Sequence, residues 1–422
     1  MDDIRRFLNG VRDDLERVLR SRPAPADRVP LNTATFGVDE ILEVLDSLLS
    51  QNVTMGAKVA RFEEMFAAYI GVRHAVMVNS GSSANLLLMA AAANPLRDRR
   101  VRLLPGDEVL VPAVTWSTTV WPVINLGCVP VLLDADPGTL NMSVEAARRA
   151  VGPRTRAIFV AHILGNAADM RALRQLATER DLMLFEDSCE ALGTTFEGLP
   201  TGRFSMASTY SFFFSHHITT MEGGMVVTDD DEFADLCRCL RAHGWTRHMR
   251  ARDALEALYP DLDPRFLFVN IGYNLRPTEL QAAFGLHQLP KLDGFNQARK
   301  RIAGTFRAAF SKLGDALQLT QPTPGTDHTW FGFPVLVGSR FRSLRKEFVR
   351  HLEERGIETR PIVAGNLAVQ PAFRHFPHRI GGDLLNAEAI AARGVYWACH
   401  PMMTDAEVAR VIAAVTEFFE NR

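Results

Sequence analysis

The sequence predicts an α/β protein built on a parallel sheet, and two observations lead to this prediction. Short, almost entirely apolar segments alternate with helical patterns such as Met170–Arg180, which is typical of strands buried on both faces of a parallel sheet. The chain has 422 residues, of which 47% are hydrophobic, so it can bury a large core and form two domains. The predicted strands are His74–Asn79, Glu108–Val114, Pro130–Asp134, Ala157–Ile163 and Leu182–Glu186.

We predict three regions along the chain. Residues 1–32 form an amphipathic helix and a Pro-rich linker, which we expect to be a surface appendage. Residues 33–288 form a large domain that contains the sheet, and residues 289–422 form a smaller C-terminal α+β domain. Outside the alternating stretch we predict a strand at Trp330–Val337 and the helices Gly37–Ser50, Gly56–Tyr69, Asp231–His243, Thr278–Leu289, Arg345–Arg355 and Thr404–Asn421.

Composition and charge exclude several classes of protein. A net charge of −2 argues against a protein that binds nucleic acid or a membrane surface. No apolar run reaches the roughly 18 residues expected of a membrane-spanning helix, and the charged N-terminal stretch has no apolar signal core. The cysteine count is 5, an odd number with no disulfide framework, which suits reduced thiols. We therefore expect a cytoplasmic protein.

Polar residues follow the predicted strands, where ligands bind in parallel sheets. Gly81 and Ser82 begin a helix whose amide and hydroxyl groups can bind a phosphate, although Ser-rich helix caps are common without one. Trp116 follows the next strand and can stack on a planar cofactor, although core packing alone would explain it. Asp187 can pair with a protonated pyridine nitrogen or can cap a helix.

The stretch Ser208–Asp230 combines unusual chemistry with two predicted strands, Tyr210–Phe214 and Gly224–Thr228. The loop between these strands carries two adjacent imidazoles, His216 and His217. An imidazole has an unperturbed pKa of about 6.5, which suits it to move protons near neutral pH. The pair could equally be packed within the loop, or belong to a protein that has lost its activity.

From about Thr33 to the C-terminal end, the motifs resemble the sugar aminotransferase/dehydratase family of pyridoxal-phosphate enzymes. In that family a Lys six residues before a Glu-Gly-Gly run normally holds the cofactor. Counting back six residues from Glu222 places His216 at this position. An imidazole cannot form a stable imine with an aldehyde, and a His here resembles the dehydratase branch of the family. The resemblance implies fold type I, with a mixed, mostly parallel sheet flanked by helices in the large domain.

The same resemblance implies roles for individual residues. His216 would be the catalytic residue, and the cofactor pyridoxal or pyridoxamine 5′-phosphate would contact Gly81, Ser82, Trp116, Asp187, Glu190 and Ser211. Asn274, in Gly272–Asn274, would reach the phosphate in the neighbouring subunit, which requires a homodimer. His217 would support either the loop or the substrate. Arg360 would bind a substrate phosphate or an amino-donor carboxylate, although a structural salt bridge is an open alternative.

The implied reaction is removal of the C3 hydroxyl from a nucleotide-linked 4-keto-6-deoxyhexose, with GDP-4-keto-6-deoxy-D-mannose favoured. L-Glutamate would regenerate the pyridoxamine form and ammonia would be released, in deoxysugar biosynthesis for products such as lipopolysaccharide O-antigen. An iron–sulfur dehydratase acting on CDP-sugars is one alternative, and Cys189 stands where one cluster ligand would be. We expect neither a cluster nor another metal, because Cys237 and Cys239 lie on a predicted helix and the loop after Trp245 has no cysteine. A catalytically silent cofactor-binding protein is the second alternative.

Overall fold

The computed structural model describes residues 2–21 and 27–420, and helices cover both faces of its main sheet. The helices predicted with residue bounds are all present, with ends that differ by at most two residues. The α-helices are α1 (Asp2–Arg20), α2 (Val38–Leu49), α3 (Ala57–Ile70), α4 (Gly81–Ala92), α5 (Ser117–Asn125), α6 (Val144–Ala150), α7 (Met170–Arg180), α8 (Asp231–Arg241), α9 (Arg252–Ala257), α10 (Glu279–Gln288), α11 (Leu292–Phe310), α12 (Arg345–Glu354), α13 (Leu385–Arg393) and α14 (Asp405–Glu420). Asn421, the predicted end of the last helix, lies outside the described residues.

The strands form three sheets. In chain order they are β1 (His74–Val78), β2 (Glu108–Pro112), β3 (Val129–Leu133), β4 (Thr155–Ala161), β5 (Met183–Asp187), β6 (Thr195–Phe196), β7 (Leu199–Pro200), β8 (Ala207–Ser211), β9 (Gly224–Thr228), β10 (Leu317–Leu319), β11 (Thr326–Asp327), β12 (Phe333–Val337), β13 (Thr359–Arg360), β14 (Arg379–Ile380) and β15 (Gly394–Trp397). The main sheet has the order β1-β9-β8-β5-β4-β2-β3-β14. A four-stranded sheet, β10-β12-β15-β13, lies in the C-terminal region, and β11-β6-β7 form a small third sheet.

The main sheet confirms the predicted mixed, mostly parallel arrangement. The pairs of β2, β3, β4, β5, β8 and β14 within it are parallel, and only β9 runs antiparallel, between β1 and β8. Because β8 ends and β9 begins at the carboxyl edge of the parallel strands, the loop of residues 212–223 lies at that edge. This is the edge at which ligands bind in open α/β sheets.

Two predicted strands were wrong in their extent. The strand predicted at Tyr210–Phe214 ends at Ser211, and the one predicted at Trp330–Val337 begins at Phe333. Phe213 and Phe214 are exposed, so the aromatic run does not continue as a buried strand. The chain therefore leaves the sheet directly after Ser211, and this early exit directs residues 212–223 over the sheet edge.

The interpretation of the N-terminal stretch as a surface appendage fits α1, which has no buried residue, but is wrong for the last residues of the predicted linker. Helix α1 contacts α2 through an ion pair between Arg12 and Asp39 (2.9 Å). The predicted linker lies partly outside the described residues, at 22–26. Val29, however, is fully buried in the hydrophobic core of the C-terminal region, where it pairs with Ile357. The boundaries predicted at residues 32 and 288 stay predictions.

In residues 2–21 and 27–420, no helix has the length and apolar character needed to span a membrane.

Candidate active site

A cavity of about 710 Å³ lies at the carboxyl edge of the main sheet. It is lined by strand ends of the large domain and by residues of the C-terminal sheet, and it brings together most of the residues singled out in the sequence. Those that line it are Gly81, Ser82, Trp116, Asp187, Glu190, Ser211, His216 and Arg360. His217 and Asn274 do not line it.

The N-terminus of α4 forms one end of this cavity. The hydroxyl of Ser80 caps the helix by accepting a hydrogen bond from the amide of Ser83 (3.0 Å). The amides of Gly81 and Ser82 make no hydrogen bond among the described residues, so they are free for a ligand. A Cβ atom on Gly81 would lie 2.5 Å from Cβ of Ser211 and 2.8 Å from its hydroxyl. Glycine is therefore required here, and the free amides and the Ser211 hydroxyl form a cradle suited to a phosphate.

Asp187, at the end of β5, is held by a buried hydrogen-bond network. Its Oδ2 accepts hydrogen bonds from Asn85 Nδ2 (2.8 Å) and from the hydroxyl of Thr119 (2.8 Å). The amide of Cys189 donates to the other carboxylate oxygen (3.2 Å). Thr209 in turn donates to Asn85 Oδ1 (2.6 Å), which fixes the orientation of the Asn85 amide. The carboxylate is thus held in one orientation at the floor of the cavity, which suits contact with a cationic ring nitrogen.

Two further cavity residues differ in their environment. Trp116 immediately precedes α5, and 57% of its side chain is exposed, so core packing does not explain it. Glu190 accepts a hydrogen bond from the amide of Leu164 (2.8 Å). Burial raises the pKa of Glu190 to about 7, and the negative charge of Asp187 acts in the same direction. Glu190 is therefore partly protonated at neutral pH and can donate a hydrogen bond to an oxygen atom of a ligand.

His216 lies in the loop after β8, and its ring packs edge-on against Phe331 (centroids 5.0 Å apart). Its Nδ1 is buried and has no hydrogen-bond partner among the described residues. Burial and, to a smaller extent, the positive charge of Arg299 together lower the pKa of His216 to about 3. The unperturbed value assumed from the sequence is therefore wrong for this site, and the imidazole is neutral at neutral pH in the ligand-free chain.

Arg299 explains much of this environment. It is buried on α11, and its Nη1 donates hydrogen bonds to the backbone carbonyls of Trp330 (3.2 Å), Phe331 (3.1 Å) and Cys399 (3.0 Å). Its charge also lowers the pKa of His217, for which burial is the larger cause. His217 is fully buried, and its ring packs against Phe331. Of the two roles expected for His217, support of the loop fits this position, and direct contact with a substrate does not.

Arg360 and Asn274 differ in how much the chain constrains them. Arg360, on β13, lines the cavity and donates a hydrogen bond to Glu358 Oε1 (2.7 Å). It is half-exposed, so this ion pair leaves donors free for a ligand anion. Asn274 is exposed outside the cavity, where its Oδ1 accepts from Arg276 (3.0 Å). Its expected role in the site of a neighbouring subunit stays a prediction.

The sequence reasoning missed several residues of this site. Asn85 and Thr119 hold Asp187, and they lie four residues after Gly81 and three residues after Trp116, so helical spacing places them near these two predicted site residues. Phe331 lies within the strand predicted at Trp330–Val337, but in the structure it precedes β12 and packs against His216. Leu31 and Asn32 also line the cavity, and no signal in a Pro-rich stretch indicates this.

A model of the DegT/DnrJ/EryC1/StrS aminotransferase family matches residues 35–416. The chain belongs to this family. The match spans nearly all of the described fold, including both the main sheet and the C-terminal sheet.

Individual relatives within the family are similar over almost their whole length. GDP-4-keto-6-deoxy-D-mannose 3-dehydratase of Escherichia coli O55:H7 is 38% identical over 88% of this chain and 95% of the relative. The protein of the same name from Yersinia pseudotuberculosis is 37% identical over 88% of this chain and 94% of the relative. The dTDP-4-dehydro-2,6-dideoxy-D-glucose 3-dehydratase of Saccharopolyspora spinosa is 37% identical over 98% of this chain and 91% of the relative.

Solved structures of the family confirm the fold class. A GDP-4-keto-6-deoxymannose-3-dehydratase variant with bound GDP-perosamine matches with a TM-score of 0.87 and 36% identity, covering 92% of this chain and 100% of that chain. The E. coli GDP-4-keto-6-deoxy-D-mannose-3-dehydratase with bound hydrated PLP matches with a TM-score of 0.85 and 36% identity, covering 92% and 99%. The fold is therefore that of the pyridoxal-phosphate members of this family.

The cradle at α4 predicts a strong effect of Gly81→Ala on cofactor binding. The added methyl group would overlap Ser211 and displace either its hydroxyl or the helix N-terminus. We expect the affinity of cofactor-free protein for pyridoxal 5′-phosphate, measured by absorbance titration, to fall about tenfold or more. Gly294→Ala on α11 is the matched control, because a Cβ there meets no atom within 4 Å. Equal affinities of the two variants would contradict the cradle.

The environment of His216 predicts a pH dependence of stability. Its pKa is lowered in the folded state, so the unfolded chain binds the proton first and the folded state loses stability as the pH falls below about 6.5. His216→Asn should reduce the change of the unfolding free energy with pH between pH 6.5 and 4.5 by about 1 kcal/mol per pH unit. This value is below the full effect of one proton because the side chain of His216 is partly exposed. Urea unfolding at several pH values measures this slope. The exposed His375→Asn variant should keep the wild-type slope, and an unchanged slope in His216→Asn would refute the buried neutral imidazole.

Proposed function

We propose that this chain is a pyridoxal-phosphate-dependent 3-dehydratase that removes the C3 hydroxyl of GDP-4-keto-6-deoxy-D-mannose, with L-glutamate as the amino donor. The observation that carries the proposal is the lining of the cavity. Among the described residues, the imidazole of His216 lines the cavity and no lysine does. An ordinary aminotransferase of this family needs an amine there. Relatives named as 3-dehydratases cover most of this chain, and a similar structure carries a trapped PLP-glutamate geminal diamine.

The residues present fit the cofactor. The cradle of Gly81, Ser82 and Ser211 would hold its phosphate, since two free amides and a hydroxyl converge there. Asp187 would hold the ring nitrogen, and Trp116 and Glu190 would contact the ring and its substituents. When bound, the cofactor supplies an electron sink and carries an amino group between glutamate and a ketone.

His216 would carry the proton in this reaction. Nδ1 of His216 is buried, so Nε2 is the nitrogen that would exchange a proton with a ligand in the cavity. In the ligand-free chain the ring is neutral and ready to accept a proton. A bound phosphate and nucleotide would bring negative charge close to the ring and raise its pKa. The ring would then take a proton as a base and return it to the departing C3 hydroxyl as an acid.

The overall reaction balances without another reductant. The hexose loses one oxygen atom at C3, while glutamate becomes 2-oxoglutarate and ammonia, so the two electrons gained by the sugar come from glutamate. Arg360 would bind the anionic groups that enter the cavity, namely the diphosphate of the nucleotide sugar or the carboxylate of glutamate.

One assay tests the nucleotide preference and distinguishes the proposed dehydratase from the iron–sulfur dehydratase and from a silent cofactor-binding protein. The protein, glutamate and pyridoxal phosphate are incubated with GDP-, CDP- and dTDP-linked 4-keto-6-deoxyhexoses, and ammonia is measured. Release with the GDP-sugar and glutamate alone supports the proposal. A 3-deoxy sugar formed without ammonia, and only with a reductase and NAD(P)H, would favour the iron–sulfur type, because NAD(P)H would then supply the two electrons. Against that type, Cys237 and Cys239 are buried in α8 beside no third thiolate in the described residues. Neither ammonia nor a 3-deoxy sugar from any of the sugars would favour a silent cofactor-binding protein.

We propose, further, that the working form is a homodimer with shared sites. Support comes from Gly272–Asn274, where a polar residue suited to a phosphate is exposed outside its own cavity. Ile271 beside it is 92% exposed, which is unusual for an isoleucine and suits a surface that a second chain covers. Five free cysteines suit the reducing cytoplasm as the place of action, in the biosynthesis of deoxysugars for surface polysaccharide.

His216→Lys tests the catalytic role. An amine at this position can attach covalently to the cofactor aldehyde, and an ammonium group with a pKa near 10 is a poor proton acceptor at neutral pH. We expect ammonia release in the presence of the GDP-sugar to fall at least about a thousandfold. The variant would lack the acid–base group, and its cofactor would be attached to the lysine. Borohydride should then fix the cofactor to the variant but not to the wild type. The exposed His375→Lys serves as control, and an undiminished rate in His216→Lys would remove His216 from the mechanism.

Ile271→Glu tests the homodimer. Placing a carboxylate in a covered apolar surface costs several kcal/mol, so dimer dissociation should rise at least about tenfold. Sedimentation velocity over a concentration series measures this change, and cofactor affinity should fall in parallel if Asn274 acts on the partner site. Leu385→Glu is the matched control, since this leucine is also exposed and begins α13. A wild-type protein that is monomeric and fully active would contradict the proposal.

A further inference from the structure

Residues 29–32, here called the N-terminal strap, are firmly held against the C-terminal region. The amide of Val29 donates to the carbonyl of Gly356 (2.8 Å), and the amide of Glu358 donates to the carbonyl of Val29 (3.0 Å). The amide of Leu31 donates to Glu358 Oε2 (3.1 Å), and the other oxygen of this carboxylate accepts from Arg360. The strap therefore lies beside the cavity-lining Arg360.

The chain beyond the strap is held to the catalytic loop. Gln288 Nε2 donates to the carbonyl of Thr35 (3.1 Å), and Gln288 Oε1 accepts from the amide of Thr219 (3.2 Å). Thr219 belongs to the same loop as His216. Residues 32–34 thus span the distance between the surroundings of Arg360 and the loop that carries the proton-transferring residue.

Asn32 is the polar side chain in this span that faces the cavity. It lines the cavity together with Leu31, His216 and Arg360. The side-chain amide of Asn32 makes no hydrogen bond with any described residue, although it offers two N–H donors and an oxygen acceptor. A half-buried amide without a partner, in the wall of a ligand cavity, is a group whose hydrogen bonds a ligand can complete.

The position of Asn32 indicates which part of the ligand it meets. On the proposed function, the diphosphate is drawn to Arg360 and the reacting carbons must lie at His216. The hexose joins these two points, and its hydroxyl groups can both donate to and accept from an amide. We propose that Asn32 is a specificity-determining residue that binds a hydroxyl group of the nucleotide-linked hexose. The N-terminal strap is therefore part of the substrate site.

Equilibrium binding to the cofactor-loaded protein tests this inference, which rests on the proposed function. Calorimetry with GDP-mannose, which carries a hexose but no reactive ketone, is compared with free GDP. We expect Asn32→Ala to weaken GDP-mannose binding by about 3- to 10-fold, the worth of one hydrogen bond, and to leave GDP binding unchanged. Thr33→Ala is the matched control, because Thr33 is adjacent in the chain but does not line the cavity.

A second readout separates the hexose from the amino donor. The rate at which glutamate aminates the cofactor, followed by absorbance without any sugar, should be the same in Asn32→Ala and wild type. Equal loss of GDP and GDP-mannose affinity, or no loss of either, would overturn the assignment of Asn32 to the hexose. A wild-type protein that binds neither probe would instead overturn the proposed GDP-sugar substrate and the inference together. The two failures are thus distinguishable.

Discussion

The buried guanidinium of Arg299 is the interaction on which the geometry and the electrostatics of the cavity both depend. It is paired with no carboxylate in the described part of the chain, and three backbone carbonyls take its hydrogen bonds instead. These carbonyls belong to the segments that enter β12 and leave β15, so one side chain of α11 fixes the wall that carries Phe331. Phe331 packs against His216. Arg299 therefore helps to position the imidazole, and its charge adds to burial, the larger cause, in keeping the ring neutral at neutral pH.

A neutral imidazole beside a buried cation makes proton transfer conditional on occupancy. With Arg299 as the dominant nearby charge, protonation of His216 is unfavourable. Anionic groups bound at the α4 cradle and near Arg360 would offset this charge, because each favours the imidazolium form. The ring would then become an effective acid only when cofactor and substrate are both in place. Under the proposed function, such coupling would limit unproductive protonation of the cofactor before the sugar binds.

The parts of the site that could be predicted from sequence are those set by local chain geometry. Gly81 begins the helix after β1, and Asp187 and Ser211 end β5 and β8. The spacing from Glu222 predicts the position of His216. The pKa of His216 could not be predicted, because burial against Phe331 and the charge of Arg299 on α11 both come from segments far along the chain. The N-terminal strap was missed for a related reason: proline and polar residues indicate a linker, and only tertiary pairing with residues 356–358 shows that Val29 is core. The proposed role of Asn274 lies in the site of a second chain, and the structure of a single chain does not test it.

The Glu-Gly-Gly run is required for packing at the start of β9. This requirement explains why the side chain at position 216, six residues before the run, can change without moving the loop. A Cβ on Gly224 would overlap the carbonyl oxygen of Ser80, so β9 passes directly against the N-terminus of α4. Gly81 in turn leaves room for Ser211, the last residue of β8. These close contacts fix both ends of the loop of residues 212–223 against the phosphate cradle, whatever side chain stands at 216. The backbone thus presents that position to the cavity in every case, and under the proposed function an amine or an imidazole there would select between transfer of an amino group and loss of a hydroxyl.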